Sequence, residues 1–347
     1  MADLKKNFQE AILAPSRPVS LDFARNKGFR IIDVRSPGEF QQGTIPGAVN
    51  IPLFDDDERG VIGTLYRHAG HGEAVSKGFE LVESNLATLV ESFQPYRGET
   101  ILIFCARGGM RSRSVVNLLE RYGYSVFQLE GGYKKYRHEI LERLESFAPK
   151  LIVLHGLTGC GKTRILQELD NSIDLEDLAG HRSSLFGAID REPRNQRAFE
   201  SHLVQALESL GSEPYFIEGE SRKIGRVFIP GPLAMAMKQG VLVLVKCSLE
   251  TRVKRIIADY PVEDEKTLGQ IETILNSLRQ KMGNQAVDTM CSNLRQGRLE
   301  ELVRQLLVDY YDRRYGNCMS DYSYSLEISS ENISQAARRL QEFRIFS

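Results

Sequence analysis

Cysteine pairs are what this chain lacks first. Its five cysteines, Cys105, Cys160, Cys247, Cys291 and Cys318, are odd in number, widely spaced and free of any C-x-x-C. That argues against a disulfide framework or a zinc cluster and points to reduced thiols in a cytoplasmic protein. Long apolar runs are missing too. Ile101–Phe104 and Val241–Val245 have the length of strands, far short of a membrane span, so no membrane partner is expected. The opening MADLKKNFQEAIL has no continuous apolar stretch followed by a small-residue cleavage site. It reads as an amphipathic helix and not as a signal peptide. Charge of one sign is absent as well: 45 Lys and Arg against 46 Asp and Glu leave a net charge of −1. No global basic excess announces a nucleic-acid partner, although local clusters can bind one. There is no internal repeat and no low-complexity tract.

What is present is enough for two soluble domains. The chain has 347 residues, 41% of them hydrophobic and 26% charged. Short apolar strands alternate with helical stretches from about residue 17 to 140: Arg30–Val34 and Ile101–Phe104 read as strands, Ala74–Phe93, Arg113–Tyr122 and Tyr133–Phe147 as helices. Such alternation predicts an α/β domain with a parallel sheet over 12–140, then a helical connector over 141–150. A second α/β domain opens with a strand at Leu151–Leu154 and a helix at Lys162–Leu169, with further strands at Tyr215–Glu218 and Val241–Lys246. It is expected over 151–260, followed by a helical C-terminal part over 261–347.

Each domain carries a loop suited to anions. In FCARGGMRS, Phe104–Ser112, a strand ends in Cys105 and a helix begins near Ser112. Loop amides and the positive helix end converge there, a field that favours a thiolate. Arg107, Arg111 and Arg113 add charge, while Gly108 and Gly109 let the backbone curl. In GLTGCGKT, Gly156, Thr158, Gly159, Gly161, Lys162 and Thr163 belong to a complete G-x-x-x-x-G-K-[ST] loop between a strand and a helix. Its amides cradle phosphate oxygens, Lys162 reaches the terminal phosphates and Thr163 can ligate Mg²⁺. Cys160 reads as a small filler. In YFIEGES, Glu218 and Glu220 are candidate acids for metal or base work, with Ser221, Arg222, Lys223 and Arg226 following as phosphate contacts or as a solvated charged turn. His181 and Arg182 lie in a polar Gly-flanked loop, where a histidine is more often structural.

IIDVRSPGEFQQGTIPGAVNIPL, Ile31–Leu53, closely resembles the rhodanese family in its Asp-Val-Arg strand end, with Asp33 and Arg35, and its Gly-x-Ile-Pro-Gly-Ala-x-Asn-Ile-Pro turn. Thr44 stands where many rhodaneses have His. The resemblance, over roughly 17–140, implies that Cys105 carries sulfur or selenium. Cys105 to Arg111 spells C-x5-R, one residue longer than the common sulfur-transfer loop, and so resembles the phosphatase relatives of rhodanese. A phosphate-sized ligand follows. The choice lies between a phosphatase, although Phe104 replaces the His that precedes such a cysteine, and a user of selenophosphate or thiophosphate.

Joined to a phosphate loop, these features resemble the tRNA 2-selenouridine synthase family over nearly the whole chain. Asn50–Gly70, Asp174–Ile189 and Phe216–Gly225 carry the likeness beside the two loops. The resemblance implies exchange of the sulfur of wobble 2-thiouridine in tRNA for selenium from selenophosphate, with the enzyme that makes selenophosphate a further candidate partner. It also implies attachment of a geranyl group from geranyl diphosphate to that sulfur. Cys105, Arg107 and Arg111 would then handle selenium, and Lys162 with its loop would hold the diphosphate. Phosphate contacts for tRNA would come from Lys134, Lys135 and Arg137; Arg191, Arg194 and Arg197; Arg222, Lys223 and Arg226; and Arg313 and Arg314. Tyr310, Tyr311 and Tyr315 would either stack an extruded base or pack in a core. A P-loop kinase or NTPase with a regulatory rhodanese domain is the remaining alternative.

Overall fold

The computed structural model describes residues 14–219, 221–262, 264–314 and 322–344. The expected N-terminal helix, Glu220, Tyr315 and Cys318 lie outside the described residues. The chain divides into two compact units between Arg143 and Leu144.

The first unit carries β1 (Pro18–Val19), α1 (Leu21–Asn26), β2 (Arg30–Asp33), α2 (Pro37–Gln41), β3 (Val49–Asn50), α3 (Asp56–His68), α4 (His71–Ser92), β4 (Thr100–Phe104), α5 (Met110–Arg121) and β5 (Ser125–Leu129). Then comes α6 (Gly132–Ser146), within which the division between Arg143 and Leu144 falls. The strands form one parallel sheet in the order β1-β5-β4-β2-β3. Ile101, Leu102, Ile103 and Phe104 of β4 are fully buried, as an uninterrupted apolar run at the centre of a parallel sheet must be. Helix starts are set by local chemistry. Ser36 and Glu39 close a capping box with Pro37 in the first turn of α2, and Asp55 and Glu58 do the same for α3.

The second unit carries β6 (Leu151–His155), α7 (Lys162–Leu166), β7 (Ser172–Ile173), α8 (Leu175–Ala179), α9 (Gln196–Glu208), β8 (Tyr215–Glu218), β9 (Lys223–Ile224), β10 (Val227–Phe228), α10 (Gly231–Gln239), β11 (Val241–Lys246) and α11 (Leu249–Asp259). A helical segment follows: α12 (Glu265–Ser277), α13 (Arg279–Met282), α14 (Asn284–Arg295), α15 (Leu299–Leu306) and a π-helical stretch at Leu307–Asp312. It has its own core of Ile271, Leu275, Val287, Met290, Leu302 and Leu306. The chain returns through β12 (Leu326–Ser329) and α16 (Ile333–Arg344).

The parallel sheet runs β12-β11-β6-β8-β7, with β9 and β10 as a separate antiparallel hairpin. Thus the C-terminal part is not helical throughout. β12 pairs with β11, and Ile328, Ala336 and Leu340 join the core under β6. The period-two spacing of Tyr322, Tyr324, Leu326 and Ile328 is the sequence signal for that strand. The first helix also ends sooner than its apolar pattern suggests, at Leu166, because the chain turns there into β7.

Candidate functional site

Cys105 directly follows β4 and is 3% exposed. Its Sγ lies 3.2 Å from Ser112 Oγ, on the first turn of α5. Gln128 of β5 donates to that same hydroxyl at 2.8 Å, and to Gly108 O at 2.8 Å and Gly109 O at 3.2 Å. The Ser112 hydroxyl also donates to Gly109 O at 3.3 Å, and its second lone pair is open to the Cys105 thiol. Gly109 caps α5 without a side-chain bond, which leaves first-turn amides for a ligand or water.

The loop is braced from α6. Tyr133 N donates to Cys105 O at 2.9 Å and Lys134 N to Ala106 O at 2.8 Å. Only glycine fits at 132, where a side chain would overlap Gly108 N and Cys105 O. Beneath the loop Asp33 and Arg35, both buried, are paired at 2.6 Å, and the Arg35 guanidinium sits 3.9 Å over the Tyr133 ring. Thr44 Oγ1 donates to Asp33 Oδ2 at 2.9 Å. Gln128, Gly132 and Glu39 carry much of this geometry without being singled out by sequence motif; the GGY run at 131–133 was their one legible trace.

Arg111 is not a free anion receptor. Its Nη1 donates to Glu39 Oε2 at 2.7 Å, and Arg59 approaches the same carboxylate at 3.7 Å. Burial alone would push Glu39 up, but the hydrogen bond and charge of Arg111, with Arg59, hold it below the ordinary carboxylate range. Burial likewise works against charged Arg111, and Glu39 more than offsets it, so the guanidinium pKa is raised. A cavity of about 770 Å³ opens beside Cys105. Arg59, Arg107 and Arg111 line one part of it, and Phe54, Ile62 and Phe79 of the α3–α4 region another. A ligand there meets both charge and apolar surface.

In the second unit the phosphate loop joins β6 to α7. Gly161 starts α7 at φ 89°, and a Cβ there would lie 2.8 Å from Arg255 Nη1. Lys162 Nζ rests on Gly156 O at 3.1 Å. Two buried arginines of α11, one turn apart, hold the loop's carbonyls from outside. Arg252 Nε donates to Thr158 O at 2.8 Å and Arg255 Nη1 to Cys160 O at 2.8 Å. Arg252 is itself paired with Asp312 at 2.6 Å, and Ser330 Oγ donates to Cys160 O at 2.6 Å. Turning carbonyls outward turns amides inward, where an anion would sit.

Glu218 ends β8 beside Thr163 and is 2% exposed. Burial first, then the charge of Glu176, push its carboxyl up to about 8, against the pull of Lys162 and the Thr163 hydroxyl. Its Oε1 has no hydrogen-bond partner among the described residues. Among those residues no three His, Cys, Asp or Glu side chains converge as a metal site. Burial, more than any other cause, lowers the His181 pKa, and its ring lies where a Cβ of Gly225 or Gly187 would need to be. Arg182 stacks over Tyr260 at 4.5 Å and donates to Asp259 O at 2.7 Å. Ser221 Oγ bonds Lys223 O at 2.7 Å, a local turn contact.

The basic clusters differ. Arg191 is 3.5 Å from Asp177, Arg313 3.3 Å from Asp309 and Lys135 3.0 Å from Glu130. Arg222, Lys223 and Arg226 are exposed on the β9–β10 hairpin, with no acidic partner among the described residues. Tyr310 and Tyr311 do not offer a base-stacking surface. Both are buried in the helical core, since the wider π turn faces two consecutive rings inward.

A parallel α/β unit with a braced loop cysteine, followed by a P-loop α/β unit, defines a two-domain protein of rhodanese and P-loop type. The Rhodanese-like domain model matches residues 21–139, and the model described as tRNA 2-selenouridine synthase AAA domain matches 149–343. The chain is similar to the tRNA 2-selenouridine synthase of Hydrogenovibrio crunogenus, 34% identical over 92% of this chain and 99% of that one. That of Nitrosomonas europaea is 33% identical over 82% and 74%, and that of Chromohalobacter salexigens 35% over 83% and 81%. The chain belongs to the tRNA 2-selenouridine synthase family. A solved N-terminal domain from Clostridium difficile 630 is 40% identical over 36% of this chain and 98% of that one, with a TM-score of 0.35.

Proposed function

We propose that this chain converts wobble 2-thiouridine of tRNA to 2-selenouridine through an S-geranyl intermediate, one loop serving each step. At the phosphate loop the thiocarbonyl sulfur attacks the allylic carbon of geranyl diphosphate. The C–O bond breaks, diphosphate leaves into the grip of Lys162 and the loop amides, and N3 gives up its proton. At the cysteine loop selenium from selenophosphate bonds to C2 and geranyl thiol leaves with the selenol proton. Water then cleaves the P–Se bond and releases phosphate. Cys105 is the selenium-handling group there, with Arg107 offsetting the donor's charge and Arg111, held by Glu39, lining the cavity. Thr163 and Glu218 would offer oxygen ligands to a Mg²⁺ that keeps most of its waters.

The observation that carries this reading is a narrow apolar cavity of about 70 Å³ at Thr158 of the phosphate loop, lined by Phe186, Ile256, Tyr260, Leu302 and Leu306 among others. A ligand held there by its diphosphate places its other end among side chains that suit a prenyl chain and give a nucleobase few hydrogen bonds. The cavity at Cys105 is larger than a selenophosphate needs, which suits entry of the nucleotide itself. A phosphatase would require a proton donor at the cysteine loop, and Glu39, the acid tied to Arg111, is stabilised as a carboxylate. The exposed Arg222, Lys223 and Arg226 supply phosphate contacts for tRNA. Calorimetric titration tests the assignment. Geranyl diphosphate should bind more tightly than inorganic diphosphate or ATP, and Lys162→Ala should lose that binding. Equal affinity for inorganic and geranyl diphosphate would remove the cavity from the account.

A further inference from the structure

With Tyr310 and Tyr311 committed to the core, the second unit still has an aromatic surface at its phosphate loop. His155 is the last residue of β6 and directly precedes Gly156. Its ring meets Tyr322 edge-on, centroids 5.0 Å apart at 86°, and Tyr324 at 5.7 Å and 73°. Tyr324 OH and His155 Nδ1 are 3.3 Å apart, and the two tyrosine rings are 6.4 Å apart, so the three rings form one cluster. Gly219, just past Glu218, has no room for a Cβ because the His155 ring occupies that space. Burial, then the charge of Lys162, lower the His155 pKa. Tyr322 is 50% exposed, an unusual setting for a large ring already anchored on one side.

We propose that Tyr322, backed by His155 and Tyr324, is a stacking platform for an unpaired nucleobase brought to the phosphate loop. The inference rests on the proposed function for its choice of base, the wobble 2-thiouridine of a single-stranded anticodon loop. Aromatic rings accept any base face, and a base in a single-stranded loop reaches them without melting a duplex. The same surface chemistry would take the base of a mononucleotide held in the phosphate loop. RNA is favoured because the free cations of the β9–β10 hairpin follow β8, the strand whose end abuts His155.

Fluorescence anisotropy with a labelled anticodon stem-loop carrying wobble 2-thiouridine, and with the same RNA abasic at that position, forms a double-mutant cycle with Tyr322→Ala. Loss of either partner should weaken binding by roughly 5- to 100-fold, and loss of both by no more than either alone. Tyr322→Phe should restore it, which separates stacking from a folding defect. Additive losses, or unchanged RNA binding by Tyr322→Ala, would overturn the platform, as would an effect confined to ATP binding. Geranylation of the same RNA by the wild type is read in parallel. Its absence with the cycle intact sinks the proposed reaction and leaves the platform standing; its presence with no coupling does the reverse.

Discussion

The two anion loops are held in shape by different means. The cysteine loop is braced by neutral donors, Gln128 Nε2 and the amides of Tyr133 and Lys134, and its arginine at 111 is offset by Glu39. The phosphate loop is braced by two buried guanidiniums, Arg252 and Arg255, lodged on its carbonyls. Neutral bracing leaves the field at Cys105 to the helix end and to Arg107. Arg252 is paired with Asp312, so it is Arg255 whose charge adds positive potential behind a loop that must hold a multiply charged leaving group. The lesson is that positive charge is placed where the greater negative charge has to rest.

That comparison is most easily broken at α11. Arg252→Ala strands Asp312 and frees Thr158 O, so it should lower the stability of the second unit by about 3 kcal/mol and sharply reduce geranyl transfer. Denaturant unfolding alongside the transfer assay checks this. The matching change in the first unit is milder. Gln128→Leu leaves Ser112 Oγ and two loop carbonyls without their donor and should cost about 1–2 kcal/mol. Selenation of S-geranyl RNA should fall while geranylation does not. If both half-reactions fall together, the braces are not local to their loops.

Both loops were legible as motifs because their residue types are dictated at fixed spacing. Their supports were not. Arg252, Arg255 and Ser330 reach Thr158 and Cys160 from 94 to 170 residues away, and nothing local marks them. Gln128 reads as an ordinary strand residue, and Gly132 as one more glycine. The tyrosines show the same limit from the other side. Tyr310 and Tyr311 have the composition of a stacking surface but are buried by a π turn, while Tyr322 and Tyr324 lie on the approach to a strand that helical patterning concealed.

A further effect concerns protonation. Folded Glu218 holds its proton up to about 8, whereas the unfolded chain releases it near the ordinary 4.5. The folded state therefore binds more protons between those values, and its stability is lost as pH rises from about 5 towards 8. Glu218→Gln removes that titration, so its urea midpoint should vary less with pH than the wild type's over that window. The same pH dependence in the wild type and in Glu218→Gln would contradict a raised Glu218 pKa.

The central claim, one loop for each step, is tested most directly by mass spectrometry of 2-thiouridine tRNA incubated with geranyl diphosphate and selenophosphate. The wild type should yield 2-selenouridine, Cys105→Ala should stop at S-geranyl-2-thiouridine, and Lys162→Ala should leave 2-thiouridine unchanged. S-geranyl-2-thiouridine formed by Lys162→Ala, or 2-selenouridine formed by Cys105→Ala, would contradict the assignment.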